Sequence, residues 1–249
     1  MTAPALVAVA PGSHDPRSAT TINALTETVA CMRPDLRIET AFLAPGDTSF
    51  ARTVDRLAAE GYDEVVVVPL LVTPGYHADM DLPGAIETVQ RRHTGLRIHA
   101  TDVLGSSWGT LDVLDRRLRA ALTDARVREL DGLVLAAAGS TDQLANQHVA
   151  RVARAWGSRH KLPTVAAFAT AAPPATGEAV RALRTDGRRH IAVGSLFLAP
   201  GFLSDRAAEL ALEAGAVAVA DPLGDDEEVA RTVLARYAVG AVELVPIPA

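Results

Sequence analysis

The stretch LVAVAPGSHD, residues 6–15, returns as LVLAAAGSTD, residues 133–142. A second stretch, AAEGYDEVVVVPLLVTPGYHAD (58–79), returns without a gap as RTDGRRHIAVGSLFLAPGFLSD (184–205). The offsets are 127 and 126 residues, a period that marks a duplicated domain and not a stacked short repeat. The join falls in the polar segment LTDARVRELDG (122–132), giving an N-terminal half of residues 1–126 and a C-terminal half of residues 127–249.

Each half alternates strand with helix. Leu6–Ala10 is a continuous apolar run of buried-strand length. Asp15 is a good helix N-cap and Pro16 then occupies the first helical position. Ile22, Leu25, Val29 and Met32 follow at spacings of three and four, one face of a helix. Strands are expected at Arg37–Leu43, Val65–Val72 and Leu96–Thr101. Helices are marked by Phe50, Val54 and Leu57, by an opening near Asp81 with Pro83 in its first turn, and by Leu111, Leu114, Leu118 and Leu122. The second half repeats the order, with strands at Leu133–Ala138, Thr164–Ala169, Ile191–Leu198 and Val217–Ala220, and a first helix carrying Ala145, Val149, Val152 and Trp156. Strands apolar on both faces, separated by amphipathic helices, imply parallel sheets covered on both sides. The fold class is therefore α/β, with two duplicated doubly wound domains, each built on a four-stranded parallel sheet flanked by helices.

Composition narrows the function. The net charge of −6, without a basic tail, and an aromatic content of 4% argue against nucleic-acid binding. No apolar run approaches the roughly 18 residues of a membrane span. The N-terminus has no positively charged region ahead of its apolar run, so a secretion signal is not expected there. The single cysteine, Cys31, fits a reducing compartment and is expected as a buried helix thiol. A cytoplasmic protein is the expectation.

In doubly wound sheets, ligands bind beyond the carboxyl ends of the strands, near the switch in winding direction. Two loops of the first half leave strands there: PGSHDPR (11–17) and TPGYHADMDLP (73–83). Their counterparts are AGSTDQ (138–143) and APGFLSDR (199–206). The glycines recur because they shape strand-to-helix turns. The histidines do not: Thr141 stands opposite His14, and Leu203 opposite His77. The fold thus does not require them, and imidazole is the side chain suited to moving protons near neutral pH and to holding a transition metal. His93, His160 and His190 are read as ordinary exposed histidines. Asp79 has an acidic counterpart, Asp205, and reads as structural; Asp81, opposite Ala207, is the better candidate to pass a cation. The chain has no phosphate loop after its first strand, no C-x-x-C, no H-E-x-x-H and no G-x-S-x-G elbow. Ser13 adjoins His14, a spacing that rarely sets a base against its nucleophile.

These motifs resemble those of the small class II tetrapyrrole chelatases, the sirohydrochlorin ferrochelatase and cobaltochelatase group, in its two-domain form. Three features carry the resemblance: Gly12-Ser13 followed by Asp15-Pro16; EVVVVPLLVTPGYHADMDLP (64–83); and AAAGSTD (136–142) with FLAPGFLSDRA (197–207) in the second half. The resemblance implies insertion of ferrous iron or cobalt into a sirohydrochlorin-type macrocycle, in a cleft between two similar domains, without nucleotide or prosthetic group. The divalent metal (iron, cobalt or nickel) is a substrate, the partner a small-molecule tetrapyrrole. A duplicated chain supplies both walls, so a monomer is consistent with the sequence. His77 matches the family's second histidine. The family's first strand ends in His-Gly-Ser-Arg-Asp-Pro; here Pro11 holds the histidine position and His14 the arginine position.

Metal insertion exchanges two poorly acidic pyrrole protons for one dication, so a nearby base helps. The ion must be held weakly enough to leave, which suits one or two neutral imidazoles. His77 and His14 are accordingly the candidate catalytic residues and, with Asp81, the candidate metal ligands. Three extended residues span about 10 Å, so His14 can reach the cavity that position 11 faces, from nearer the rim. Gly12, Ser13, Arg17, Gly75 and Tyr76 are the candidate substrate contacts. Arg17 and Arg206 are placed to offset repulsion between an acidic protein and a polycarboxylate. A second reading is a non-catalytic tetrapyrrole or metal binder derived from a chelatase, because Pro11 offers no ligand atom.

Overall fold

The computed structural model describes residues 3–43, 49–73, 82–105 and 108–245. Among the described residues sixteen elements follow in chain order: β1 (Ala5–Pro11), α1 (Pro16–Met32), β2 (Ile38–Leu43), α2 (Ser49–Ala59), β3 (Glu64–Pro69), α3 (Leu82–Arg92), β4 (Arg97–Ala100), α4 (Trp108–Asp124), β5 (Gly132–Ala137), α5 (Gln143–His160), β6 (Thr164–Phe168), α6 (Thr176–Thr185), β7 (Ile191–Ser195), α7 (Phe202–Glu213), β8 (Ala218–Val219) and α8 (Glu227–Glu243). The strands form two four-stranded parallel sheets, ordered β2-β1-β3-β4 and β6-β5-β7-β8. The crossover from β2 past β1 to β3 reverses the winding, so the first switch point lies between β1 and β3. The second lies between β5 and β7.

Two strands end earlier than their apolar runs. In β3 the register with β1 closes at Val9↔Pro69, and the Leu70 N–H makes a last bond to the Val9 carbonyl at 2.7 Å. Beyond it Leu71 accepts from Leu104 N–H at 2.9 Å, so the run to Val72 is extended chain leaving the sheet. The second unit does the same: Leu196 N–H bonds the Ala136 carbonyl at 2.7 Å, and Phe197 accepts from Leu223 N–H at 2.8 Å.

Each sheet is covered on both faces, and alternation along the strands sorts the core. In the first unit Val7, Val9, Val65 and Val67 face Phe50, Val54 and Leu57 of α2 and Leu82 and Val89 of α3. In the second, Val134, Ala136, Ile191 and Val193 face Ala179, Val180 and Leu183 of α6 and Ala207 and Ala211 of α7. The opposite face of the second sheet takes Trp156 of α5, which is fully buried beside Gly194.

The compact units do not coincide with the repeat halves 1–126 and 127–249. One unit comprises residues 1–105 and 225–249, the other residues 106–224. The last helix of each half is exchanged: α4 packs on β7 and β8, and α8 packs on β3, β4 and α1. Hydrophobic periodicity gives a helix its buried face but not the sheet that receives it. Gly240 makes the seat of α8 possible, since a Cβ there would lie 2.7 Å from Val66 and 2.8 Å from Thr101. Arg117 of α4 donates to the Leu223 carbonyl at 2.9 Å, and Tyr237 of α8 donates its hydroxyl to the Pro4 carbonyl at 2.8 Å.

Cys31 is exposed, not buried. It follows Val29 by two residues, about 200° around the helix, which turns it from the core. The three histidines read as exposed and ordinary all have carboxylate neighbours. His93 Nε2 lies 2.7 Å from Asp55 Oδ1, His160 Nε2 lies 2.7 Å from Asp115 Oδ1, and His190 Nδ1 lies 3.8 Å from Glu129. Among the described residues no helix is long and apolar enough to cross a membrane.

Candidate functional site

The carboxyl edge of the first sheet is built by the turn from β1 into α1. Pro11 ends β1 opposite Leu43, and Gly12 N–H donates to the Leu43 carbonyl at 2.7 Å. Pro11 lies beyond the last β1–β3 pair, so a residue without an N–H is tolerated there even on a central strand. Ser13 Oγ accepts the Asp15 N–H at 3.1 Å, and Asp15 Oδ1 accepts the Arg17 N–H at 2.9 Å, capping α1. Arg17 also clasps Asp15 through its side chain, with Nε 3.1 Å from both carboxylate oxygens and Nη2 2.5 Å from Oδ2. That side-chain bond, followed by the backbone one, holds the Asp15 carboxyl below the usual carboxylate range.

The second unit builds the same turn without the imidazole. Ser140 Oγ accepts the Asp142 N–H at 3.0 Å, and Asp142 Oδ1 accepts the Leu144 N–H at 2.8 Å. Asn146 adds a reciprocal pair with Ser140, at 3.0 and 2.7 Å. Gly139 has φ +87°, and a Cβ on it would meet the Thr170 carbonyl oxygen at 2.0 Å. Ser13 and Asp15 thus repeat a turn that the half without the histidines also makes, which assigns their hydrogen bonds to folding. His14 is the residue of this turn that the fold does not occupy: it is exposed.

Gly12, Ser13, His14 and Arg17 are therefore brought together at one switch point. His77, Gly75, Tyr76, Asp79 and Asp81 lie outside the described residues. The flanking segments are described: β3 delivers Leu70–Thr73 at the carboxyl edge, and α3 begins at Leu82 with Pro83 in its first turn. In the second unit the matching connection leads to α7, whose Gly201 N–H donates to Ser204 Oγ at 2.9 Å. Asp205 lies in the first turn of α7 and not at its cap. The described residues include no group of three or more His, Cys, Asp or Glu that could hold a metal ion.

Two apolar residues at the second edge are not themselves among the sequence candidates. Leu144 and Phe202, in the first turns of α5 and α7, are 69% and 76% exposed. The repeat aligns them with Arg17 and Tyr76, which was the signal available in the sequence.

Comparison with known proteins agrees with this architecture. The sirohydrochlorin cobaltochelatase of Priestia megaterium is 22% identical over 205 residues, covering 80% of this chain and 65% of that enzyme's length. SirB from Bacillus subtilis with Fe3+ superposes with a TM-score of 0.81 at 22% identity, covering 97% of this chain and 96% of that one. SirB from Bacillus subtilis subspecies spizizenii in complex with cobalt gives a TM-score of 0.80 at 17% identity, with 97% of each chain covered. At these identities the likeness shows the chelatase fold. The CbiX family matches this chain twice, over residues 5–121 and 132–239, and the chain belongs to that family.

Proposed function

We propose that this protein is a metal chelatase that inserts ferrous iron or cobalt into a sirohydrochlorin-type tetrapyrrole. The observation that carries the proposal is the family match across both halves, combined with a switch-point turn whose one exposed, non-structural member is an imidazole. The relatives named above are a sirohydrochlorin cobaltochelatase and SirB with iron or cobalt bound.

The reaction exchanges two pyrrole N–H protons of the macrocycle for one dication. His77 is the principal base or metal ligand, taking a proton on a neutral ring nitrogen or presenting that nitrogen to the incoming ion. His14 acts from the rim as a second ligand, and Asp81 helps to pass the cation inward. Arg17 and the N-terminus of α1 offset the charge of the substrate carboxylates. Gly12, Gly75 and Tyr76 complete the contact. The metal is consumed as substrate, so a site of few neutral ligands, which releases what it binds, suits the chemistry better than a closed cage.

The test is to mix the protein with metal-free sirohydrochlorin and ferrous or cobaltous ion and to follow the macrocycle absorbance. Turnover that is lost in His77→Ala supports the assignment. A spectral shift that stops at one macrocycle per protein favours the second reading, a non-catalytic tetrapyrrole binder. That reading draws its support from Pro11, which ends β1 where the family's first imidazole is expected.

A further inference from the structure

At the second switch point, α5 and α7 begin on opposite faces of the sheet. The α5 side chain Trp156 packs beside Gly194, whereas Ala207 and Ala211 of α7 pack with Val134, Ala136, Ile191 and Val193. Their first turns therefore bracket the carboxyl ends of β5 and β7 from the two sides. Each first turn carries a large apolar side chain that packs on nothing substantial: Leu144 is 69% and Phe202 76% exposed. The described residues expose six large apolar side chains in all; the other four, Leu212, Val239, Val242 and Val245, lie late in α7 or late in and just after α8. Both stand where α/β sheets bind ligands.

Arg206 adds a charge to the pair. It follows Phe202 by four residues on α7, so the two are neighbours on one helix face. Arg206 is exposed. An aromatic ring, an aliphatic branch and a cation at the carboxyl edge of one sheet complement a ligand that is flat, apolar on its faces and anionic at its periphery.

We infer that Leu144, Phe202 and Arg206 form a tetrapyrrole-contacting surface at the carboxyl edge of the second sheet, the two apolar side chains covering a macrocycle face and the guanidinium meeting a peripheral carboxylate. The inference rests on the function proposed above. It gives the two halves different tasks: the first retains imidazoles for the metal and the protons, and the second, having none in these loops, holds the macrocycle. Loss of the histidines at Thr141 and Leu203 then accompanies a change of use at that edge.

The test is a titration of metal-free sirohydrochlorin into the full chain, read by absorbance and intrinsic fluorescence, beside the cobalt insertion assay. Because the side chains are exposed, Leu144→Ser and Phe202→Ser should melt as the parent does. Each is expected to weaken macrocycle binding about fivefold, and the double variant by more than tenfold. In turnover the loss falls on KM for the macrocycle, and cobalt saturation does not move. Arg206→Gln weakens binding about threefold and makes it less dependent on salt. Phe202→Tyr keeps the ring and restores binding. A double variant that binds like the parent overturns the inference while leaving the His77 assignment standing. A parent that binds the macrocycle but inserts no metal, with binding lost in the double variant, supports the inference and overturns the chelatase activity. A parent that does not bind sirohydrochlorin overturns both.

Discussion

Gly194 leaves the space that the indole of Trp156 fills: a Cβ at position 194 would lie 2.5 Å from Trp156 Cη2. Neither partner can give way. Gly194 is held opposite Leu135 in the β5–β7 ladder, and the ring is fully buried with its Nε1–H bonded to Asp115 at 2.8 Å. Gly194→Ala is expected to destabilise the second unit by about 2 kcal/mol, as overpacking does. Urea denaturation followed through tryptophan fluorescence measures it, and Trp156→Leu in the same chain should recover part of the loss.

Asp115 is the buried anchor of the exchanged helix α4. Its side chain is 5% exposed, and Oδ1 accepts from Trp156 Nε1 while lying 2.7 Å from His160 Nε2. Arg159 Nε stands 3.2 Å from Oδ2. Asp115→Ala strands the indole N–H in the core, at a cost of about 2 kcal/mol. Asp115→Asn keeps one acceptor and should cost less. A shift of the urea midpoint without a change in macrocycle KM is the expected result.

Arg17 is gripped by the carboxylate that caps its own helix, so its charge toward a substrate is partly spent on Asp15. Arg17→Ala is therefore expected to raise the macrocycle KM modestly, by about three- to fivefold, the size of an exposed ion pair. The difference from the parent should shrink as salt is added. An unchanged KM across salt would remove Arg17 from the site.

Much of the fold was legible because its signals are local. The buried residues of α1 and α5, Ile22, Leu25 and Val29, then Ala145, Val149, Val152 and Trp156, are those that helical spacing picks out. The caps Asp15 and Asp142 are set by turn chemistry within three residues of themselves. The exchange of α4 and α8 was not legible. Their apolar faces fit either sheet, and the choice rests on tertiary fits such as Gly240 against Val66. The strand ends at Pro69 and Ser195 were overrun for a related reason: Leu70–Val72 and Leu196–Leu198 are apolar for loop packing as well as for the sheet. The candidate histidines stand out through asymmetry between repeats, whereas Leu144 and Phe202, which the repeat aligns with Arg17 and Tyr76, are set apart only by their exposure.

Asp131 links the start of β5 to the entry of β7. Burial would raise its carboxyl, but the N–H groups of Arg189 and His190, each at 2.8 Å, outweigh it and hold the value below the ordinary range. A group depressed in the folded state stabilises it above the unfolded value, near pH 4, and loses that contribution as pH falls through the folded value. The parent should therefore lose stability below about pH 4 more steeply than Asp131→Asn, which cannot titrate. Melting curves from pH 6 down to pH 3 would compare them; parallel curves would show that the carboxylate contributes nothing.

Pro11 offers the sharpest test of the proposed site. It ends β1 past the last pair with β3, is half-buried, and contributes no N–H to the sheet. Pro11→His therefore breaks no hydrogen bond, and restores a donor in extended backbone where histidine is readily accommodated. If metal insertion is limited by a missing imidazole, the variant should turn over about tenfold faster or more, in the range that one positioned base contributes. The gain should vanish on adding His77→Ala. If His14 already supplies the second nitrogen, Pro11→His gains little and His14→Ala falls by a similar factor. The two single variants and their double, assayed with cobalt and sirohydrochlorin, decide which imidazole shares the work with His77. Three variants that all match the parent would place both positions outside the reaction.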